Sequence, residues 1–465
     1  MFVGRERELN KLNELYHTDG FQLPVIYGRR RVGKTALINE FIKDKEAIYF
    51  TGIESNARQN LENLSRSILS YADAALENTL FQSFQAAFEY VFKLAETRRL
   101  ILVIDEYPYV AGAPKSLAST LQALIDKNKD TSRLFLILCG SSMSFMENHV
   151  LAYKAPLYGR RTAQMKILPF DFFESRKFFR GFSAADMAAV YGAVGGTPQY
   201  LLCIDDKLSL EENIKRCFLD PSSPLFEEPN NLLKQEVREP AIYNAIITAI
   251  AIGSTKLSEI ASKAGVETSA CTAYIKNLIS LGIIKRETPF AENTTRKAIY
   301  KISDNLFRFW YRFVPDNIAA VSRGLTDAVY NKISPLLNEY MGAVFEDICI
   351  QYLWRLREQG NIQIEFTDLG RWWGGDAKNK REAEIDIMGT DGADSALLGE
   401  CKWTNEKVGA GVLEILAERS QLFHFSNVRF YLFAKAGFTK GCAEKAGKLG
   451  NVTLITFKEM VSLDV

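Results

Sequence analysis

Hydrophobic and polar positions change period several times along this 465-residue chain, and each change marks an element. Near the start, Leu9, Leu12 and Leu15 recur at helical spacing among charged residues, predicting an amphipathic helix over 3–16. Uninterrupted apolar runs follow at 25–27, 47–50, 100–104 and 134–139, the form that buried parallel strands take. Helical periodicity over 57–75 and 79–95 separates two of these runs, so the first part reads as α/β. From 169 to 239 the pattern is helical, interrupted by Asp220-Pro221-Ser222-Ser223-Pro224. Helices are then expected over 241–253, 257–264 and 269–281, the last with Ile275, Leu278 and Ile279 inward. Two short strands, 282–286 and 298–302, joined by a polar wing, complete the outline of a winged helix-turn-helix. The aromatic block from Leu306 to Phe313 reads as core between domains rather than as a base-stacking surface. Beyond a connector over 315–333 the character changes again. A long helix over 336–357 precedes two alternating strands, 383–388 and 396–402, which flank the turn Thr390-Asp391-Gly392.

The first apolar run empties into Gly28-Arg29-Arg30-Arg31-Val32-Gly33-Lys34-Thr35 and a helix opening with Ala36. This is the G-x-x-x-x-G-K-[ST] spacing of a phosphate-binding loop. Glycines let backbone N–H groups approach a phosphate, and the helix N-terminus that follows favours an anion. Lys34 would reach the β and γ phosphates of a nucleotide and Thr35 would hold Mg²⁺. The run Leu100 to Ile104 ends in Asp105 and Glu106, at the strand end where open α/β sheets bind ligands. Asp105 would contact Mg²⁺ through its waters, and Glu106 would act as general base on the attacking water. The next run ends in Ser141 and Ser142. Further on, Arg160 and Arg161 stand in an expected loop. Either could serve as an arginine finger, or both could pack against local acids.

In the last third, Glu346 lies on a helical stripe with Ala343, Ile350 and Leu353, a costly place for an acid unless it is paired or metal-bound. Strand alternation puts Glu384 and Asp386 on one face, and Glu400 and Lys402 on one face of the next strand. Carboxylates and an ammonium gathered in this way suit Mg²⁺-assisted phosphodiester cleavage. Lys378, Lys380 and Arg381 would suit a phosphate backbone, and a solvated loop explains them equally well.

Composition narrows the partners. Net charge is +1, so nucleic acid could be held only by local basic patches. The exposed face expected for helix 269–281 (Thr268, Ser269, Thr272, Tyr274, Lys276) is weakly basic, leaving DNA contact and packing within the chain both open. Seven scattered cysteines without a C-x-x-C pair argue for reduced thiols, and three distant histidines argue against histidine chemistry. The N-terminus is charged where a signal peptide is apolar, and no run is long enough to span a membrane. A cytoplasmic protein without a membrane partner is expected.

These motifs resemble the AAA+/STAND ATPases found largely in prokaryotes. The resemblance rests on Phe2-Val3-Gly4-Arg5-Glu6, the 28–35 loop, Asp105-Glu106, residues 156–162 and Gly195-Gly196-Thr197-Pro198-Gln199-Tyr200. It implies ATP and Mg²⁺ as cofactors, with Val3, Gly4 and Arg5 beside the adenine. It also implies Ser142, or its neighbour Ser141, as a sensor near the γ phosphate, and Pro198 in a nucleotide-sensing lid. An arginine finger acting in trans would imply a homo-oligomer. No distinct sensor-2 arginine stands out. The C-terminal set resembles the PD-(D/E)xK nucleases, with Asp386 as first acid, Glu400-x-Lys402 as second half and Glu346 as auxiliary metal ligand. The expected architecture is therefore a P-loop ATPase core (1–168), a helical lid (169–239), a winged helix (240–314), the connector (315–333) and a restriction-endonuclease-like α/β domain (334–465). The expected function is ATP-controlled, metal-dependent DNA cleavage or processing. The alternative is a signalling switch or DNA-binding regulator whose nuclease-like domain is a non-cleaving adaptor.

Overall fold

The apolar runs become strands, and their burial explains the sheet they form. The computed structural model describes residues 2–73, 79–112, 116–290, 292, 297–377 and 379–462. The end of the 57–75 helix, most of the wing and Lys378 lie outside them. Strands β1 (Pro24–Tyr27), β2 (Ala47–Thr51), β3 (Leu100–Asp105), β4 (Leu134–Gly140) and β5 (Ala163–Lys166) make one sheet in the order β2-β3-β4-β1-β5, with every pairing parallel. The inner strands β1, β3 and β4 are buried at every position, while the edge strand β5 alternates. Leu12, Leu37, Phe41, Phe135 and Ile137 share one core cluster on this sheet, each large side chain contributing roughly 1.5–3 kcal/mol by leaving water. The first helix is Glu6–His17. It starts later than its apolar stripe suggests because Gly4 and Arg5 have φ of 68° and 67°, which an α-helix cannot accommodate.

The chain forms two compact units: residues 1–169 with 197–199, and the remainder. The second unit holds the helix-rich lid region, the helices Pro240–Ala251, Leu257–Ala264 and Thr268–Ser280, and the antiparallel ribbon of β6 (Ile284–Glu287) and β7 (Ile299–Ile302). In helix Thr268–Ser280 the side chains of Ile275 and Leu278 are buried, but Ile279 is 38% exposed and faces outward, contrary to the expected inward stripe. The aromatic block folds as helix Asn305–Phe313, with Phe307, Phe309, Trp310 and Phe313 buried. The expected connector is itself helical over Ile318–Val321 and Thr326–Ile333.

The C-terminal part is a mixed sheet in the order β12-β11-β10-β9-β8. Its strands are β8 (Leu369–Asp376), β9 (Arg381–Thr390), β10 (Ser395–Lys402), β11 (Asn427–Ala434) and β12 (Val452–Thr456). Leu398 and Leu432 share a cluster with Leu413, Leu416 and Cys442, so helices Ala410–Ser420 and Lys440–Leu449 cover one face. Helix Leu337–Glu358 brings Phe345 and Tyr352 against Trp403 and Phe433. These strand positions have the opposite parity, so that helix covers the other face. Gly370 pairs with Met388 and Trp372 with Ile385. Asp386 and Ile387 therefore stand against Arg371 alone, a β-bulge that re-aims the backbone at the expected first acid.

Candidate functional site

In the first unit the loop residues converge at the C-terminal ends of β1, β3 and β4. A Cβ at position 28 would lie 2.4 Å from the carbonyl oxygen of Ile167, so the loop can pass there only with glycine. Gly33 ends the loop at φ 90° and caps helix Lys34–Ile42, whose first N–H groups are thereby presented to an anion. The Lys34 ammonium is buried and donates to the carbonyls of Gly28 and Arg29, 2.9 Å each. The Asp105 carboxylate accepts from Thr35 Oγ1 (3.0 Å), Tyr49 OH (2.7 Å) and the Glu106 N–H (2.9 Å). Glu106 itself has φ 51°, a backbone conformation costing on the order of 1 kcal/mol for a non-glycine residue. Its carboxylate accepts from the Ser141 hydroxyl and, at 3.3 Å, from the Ser141 N–H. Burial and then the neighbouring Asp105 push the Tyr49 phenol well above its usual range, keeping it a donor.

Several expected residues join this site and others do not. Arg29 donates to Thr197 Oγ1 at 2.8 Å, and Arg30 to Tyr109 OH at 2.8 Å. Arg31 takes the left-handed conformation that closes the loop before the buried Val32. Pro198 Cγ stands 3.5 Å from where a Gly33 Cβ would be, placing Pro198 on the loop. Beyond Val3 and Gly4, Arg5 donates to the carbonyl of Val32 at 3.1 Å and so clasps the loop from the N-terminal side. Ser142, the committed sensor position, instead accepts from the Phe145 N–H and caps the turn Met143–Phe145. The hydroxyl that faces the acid is Ser141, because strand β4 runs one residue further than its apolar run. Neither finger candidate reaches its own loop. Arg160 forms a bidentate pair with Asp126 (2.9 and 2.7 Å), and Arg161 donates to the carbonyl of Leu151 and lies 4.8 Å from the Tyr158 ring. Tyr49 and Arg5's role in the loop were not anticipated. The signal for Tyr49 was a hydroxyl-bearing residue near the end of the strand beside the acidic one.

In the second unit, Lys402 donates to Glu400 at 2.6 Å, Arg419 approaches Glu400 at 3.5 Å, and Asp386 accepts from the Cys401 N–H at 2.9 Å. Arg371 lies 3.6 Å from Glu346 and also pairs with Glu384. Burial and then Asp386 push the Glu346 carboxyl up to about 8. The same two causes raise Glu400, against the pull of Lys402. Burial works to discharge Lys402, but Glu400 and Asp386 outweigh it and hold its proton more tightly. Among the described residues no three His, Cys, Asp or Glu side chains stand together as a ready metal cage. Ala343, Glu346 and Ile350 do form a stripe, as expected, but it lines a cleft; the buried stripe of the helix runs through Val344, Phe345, Ile348 and Cys349.

Loop, acid pair and sheet order together define a P-loop ATPase of the AAA-like type. Residues 2–204 match a family described as ATPase domains predominantly from Archaea, and residues 310–412 match archaeal and bacterial proteins of unknown function. An uncharacterised protein of Methanocaldococcus jannaschii is 34% identical over 413 residues, 88% of each chain. The chain belongs to the family of that protein. An uncharacterised ATP-binding protein of the same organism is 46% identical over 46 residues, 10% of this chain and 78% of that one. The Walker-type ATPase paby2304 of Pyrococcus abyssi shares the fold, with a TM-score of 0.51 and 21% identity over 67% of this chain and 96% of that one. Among the described residues no helix is long and apolar enough to cross a membrane.

Proposed function

We propose that this protein hydrolyses ATP at the 28–35 loop and uses the cycle to control metal-assisted cleavage of DNA at the C-terminal sheet. The observation that carries the first half is the bonded series Thr35–Asp105–Glu106–Ser141 beside a buried lysine. Lys34 exchanges its two carbonyl partners for phosphate oxygens, and the helix N-terminus receives the negative charge. Mg²⁺, which Thr35 and Asp105 would hold, neutralises charge between the β and γ phosphates when bound. Glu106, aimed by Ser141, takes the proton of the attacking water. Glu106→Gln keeps the size and loses the base, so ATP binding persists while turnover falls roughly 10²–10⁴-fold. Wild-type turnover in that variant would remove Glu106 from the role.

The second half rests on Lys402 and Glu400 standing beside Asp386, with Glu346 as a further acid. Divalent metal at Asp386 and Glu400 would lower the pKa of a bound water. A non-cleaving adaptor is favoured by a different observation: Glu400 is already engaged by both Lys402 and Arg419. Incubating the full chain with labelled DNA, ATP and Mg²⁺ separates the two readings. Cleavage that Lys402→Ala abolishes supports the nuclease, whereas intact DNA during continuing ATP hydrolysis supports the adaptor.

A further inference from the structure

The ribbon β6–β7, helix Asn305–Phe313, helix Leu337–Glu358 and strand β8 enclose a cleft of about 790 Å³ in the second unit. Its floor is unusually polar. Asp347 is gripped by Lys285 at 3.1 Å and by Arg308 at 3.1 Å, which ties the ribbon and the aromatic helix to the residue next to Glu346. Asn305 is 6% exposed, and its Oδ1 has no hydrogen-bond partner; Arg308 Nη1 is buried in the same condition. A buried amide oxygen and a guanidinium N–H left unpaired each cost about 1–3 kcal/mol, which a polar ligand would recover. The rim carries Arg286, Lys301 and Arg371, and Phe290 packs there over Gly370 with its N–H donating to the Arg371 carbonyl at 2.8 Å. Two lining residues, Glu346 and Arg371, belong also to the acidic corner that contains Asp386.

We propose that this cleft is a binding site for single-stranded nucleic acid, leading the strand to the Glu346–Asp386 corner. The inference rests on the proposed cleavage site for its destination, though not for binding itself. The cationic rim suits successive phosphates, Phe290 offers a ring for a base, and the unpaired Asn305 and Arg308 groups suit base edges. The volume falls within the roughly 300–1,000 Å³ of pockets for drug-sized ligands, enough for a short stretch of strand. A duplex is too bulky, since its major groove alone is about 12 Å wide.

The test is fluorescence anisotropy of the full chain, in EDTA so that no cleavage occurs. The probes are a labelled single-stranded oligonucleotide, the blunt duplex of the same sequence, and adenosine monophosphate as competitor. Single strand should bind at least tenfold tighter than duplex, and the mononucleotide should compete only at far higher concentration. Arg286→Glu and, as a milder change, Lys301→Gln should each weaken strand binding severalfold. Each should also lower the salt slope by about 0.7, the effect of one lost phosphate contact. Equal binding of duplex, equal competition by the mononucleotide, no strand binding, or unchanged affinity in both variants would overturn the assignment. Strand binding without cleavage once Mg²⁺ and ATP are restored would leave the cleft standing and remove the nuclease reading instead.

Discussion

The phosphate-loop site and the C-terminal acidic corner both gather acids and a lysine, yet they neutralise them in opposite ways. At the loop, the contacts made by Lys34, Asp105 and Glu106 are to neutral dipoles: two carbonyls, two hydroxyls, a serine and backbone N–H groups. At the corner, charge meets charge, with Lys402 and Arg419 on Glu400 and Arg371 on Glu346. A dipole yields to an incoming phosphate or cation at small cost, whereas an ion pair must be broken or shared. The first site is therefore poised for a charged ligand, and the second must reorganise to accept one.

The largest expected effect tests the poised site. Lys34→Ala removes the buried ammonium and leaves the carbonyls of Gly28 and Arg29 to face the phosphates alone. ATP hydrolysis should fall by at least about 10²-fold, the scale of losing one preorganised electrostatic partner. Nucleotide binding, read by calorimetry, should weaken with it. Near-wild-type binding and turnover would show that the dipole-lined loop does not depend on its lysine.

A smaller effect tests the charge-paired corner through pH. Glu346 faces Asp386, Asp347 and Glu287, with Lys285 and Arg371 opposing. Its folded pKa is about 8 against an ordinary 4.5. Across that window the folded state keeps a proton that the unfolded state has released, so stability falls as pH rises from about 4.5 to about 8. Glu346→Gln should flatten this fall and be the more stable protein at pH 8.5, by on the order of 3 kcal/mol before discounting for partial exposure. Mg²⁺ should restore part of the loss in wild type and none in the variant if the corner takes a cation. Parallel melting curves for both proteins from pH 5 to 8.5 would instead place Glu346 outside any such balance.

How much of each site could be read from the chain follows from the same contrast. The loop is contiguous: strand, glycines, lysine, threonine and helix lie within 24–42, so spacing alone carried it. The acids at the end of β3 were equally legible, because a buried strand that ends in Asp105-Glu106 has few other uses. What escaped were contacts between strands. Tyr49 meets Asp105 across 56 positions, and Arg5 meets Val32 across 27. Choosing Ser142 over Ser141 failed by one residue, since the end of β4 and the cap that follows it are set by tertiary packing. Arg160 looked available because Asp126, its partner, lies 34 positions away on another helix. At the corner, strand alternation anticipated the pairing of Glu400 with Lys402 but not the bulge at Asp386, which depends on the pairing of β9 with β8.

The smallest effect returns to the dipole-lined site and asks whether its neutral donors matter singly. Tyr49 donates to Asp105 Oδ2 at 2.7 Å, the same oxygen that accepts from Thr35 at 3.0 Å. When Thr35 turns to a metal, Tyr49 is the remaining side-chain donor on that oxygen and holds Asp105 in place. Tyr49→Phe keeps the ring and its packing, and leaves a carboxylate with one fewer charged hydrogen bond, a loss of about 1.5 kcal/mol. The variant should melt a few degrees lower than wild type in the absence of nucleotide. Its ATP turnover should fall less than tenfold, and the Mg²⁺ concentration for half-maximal rate should rise, because Asp105 is no longer aimed. Thr35→Val sharpens the distinction: it should cost little stability without nucleotide, since Tyr49 still satisfies the oxygen, yet remove most Mg²⁺-dependent turnover. If Tyr49→Phe instead matched Thr35→Val in turnover, Tyr49 would be part of the metal's own ligand shell rather than a support behind Asp105.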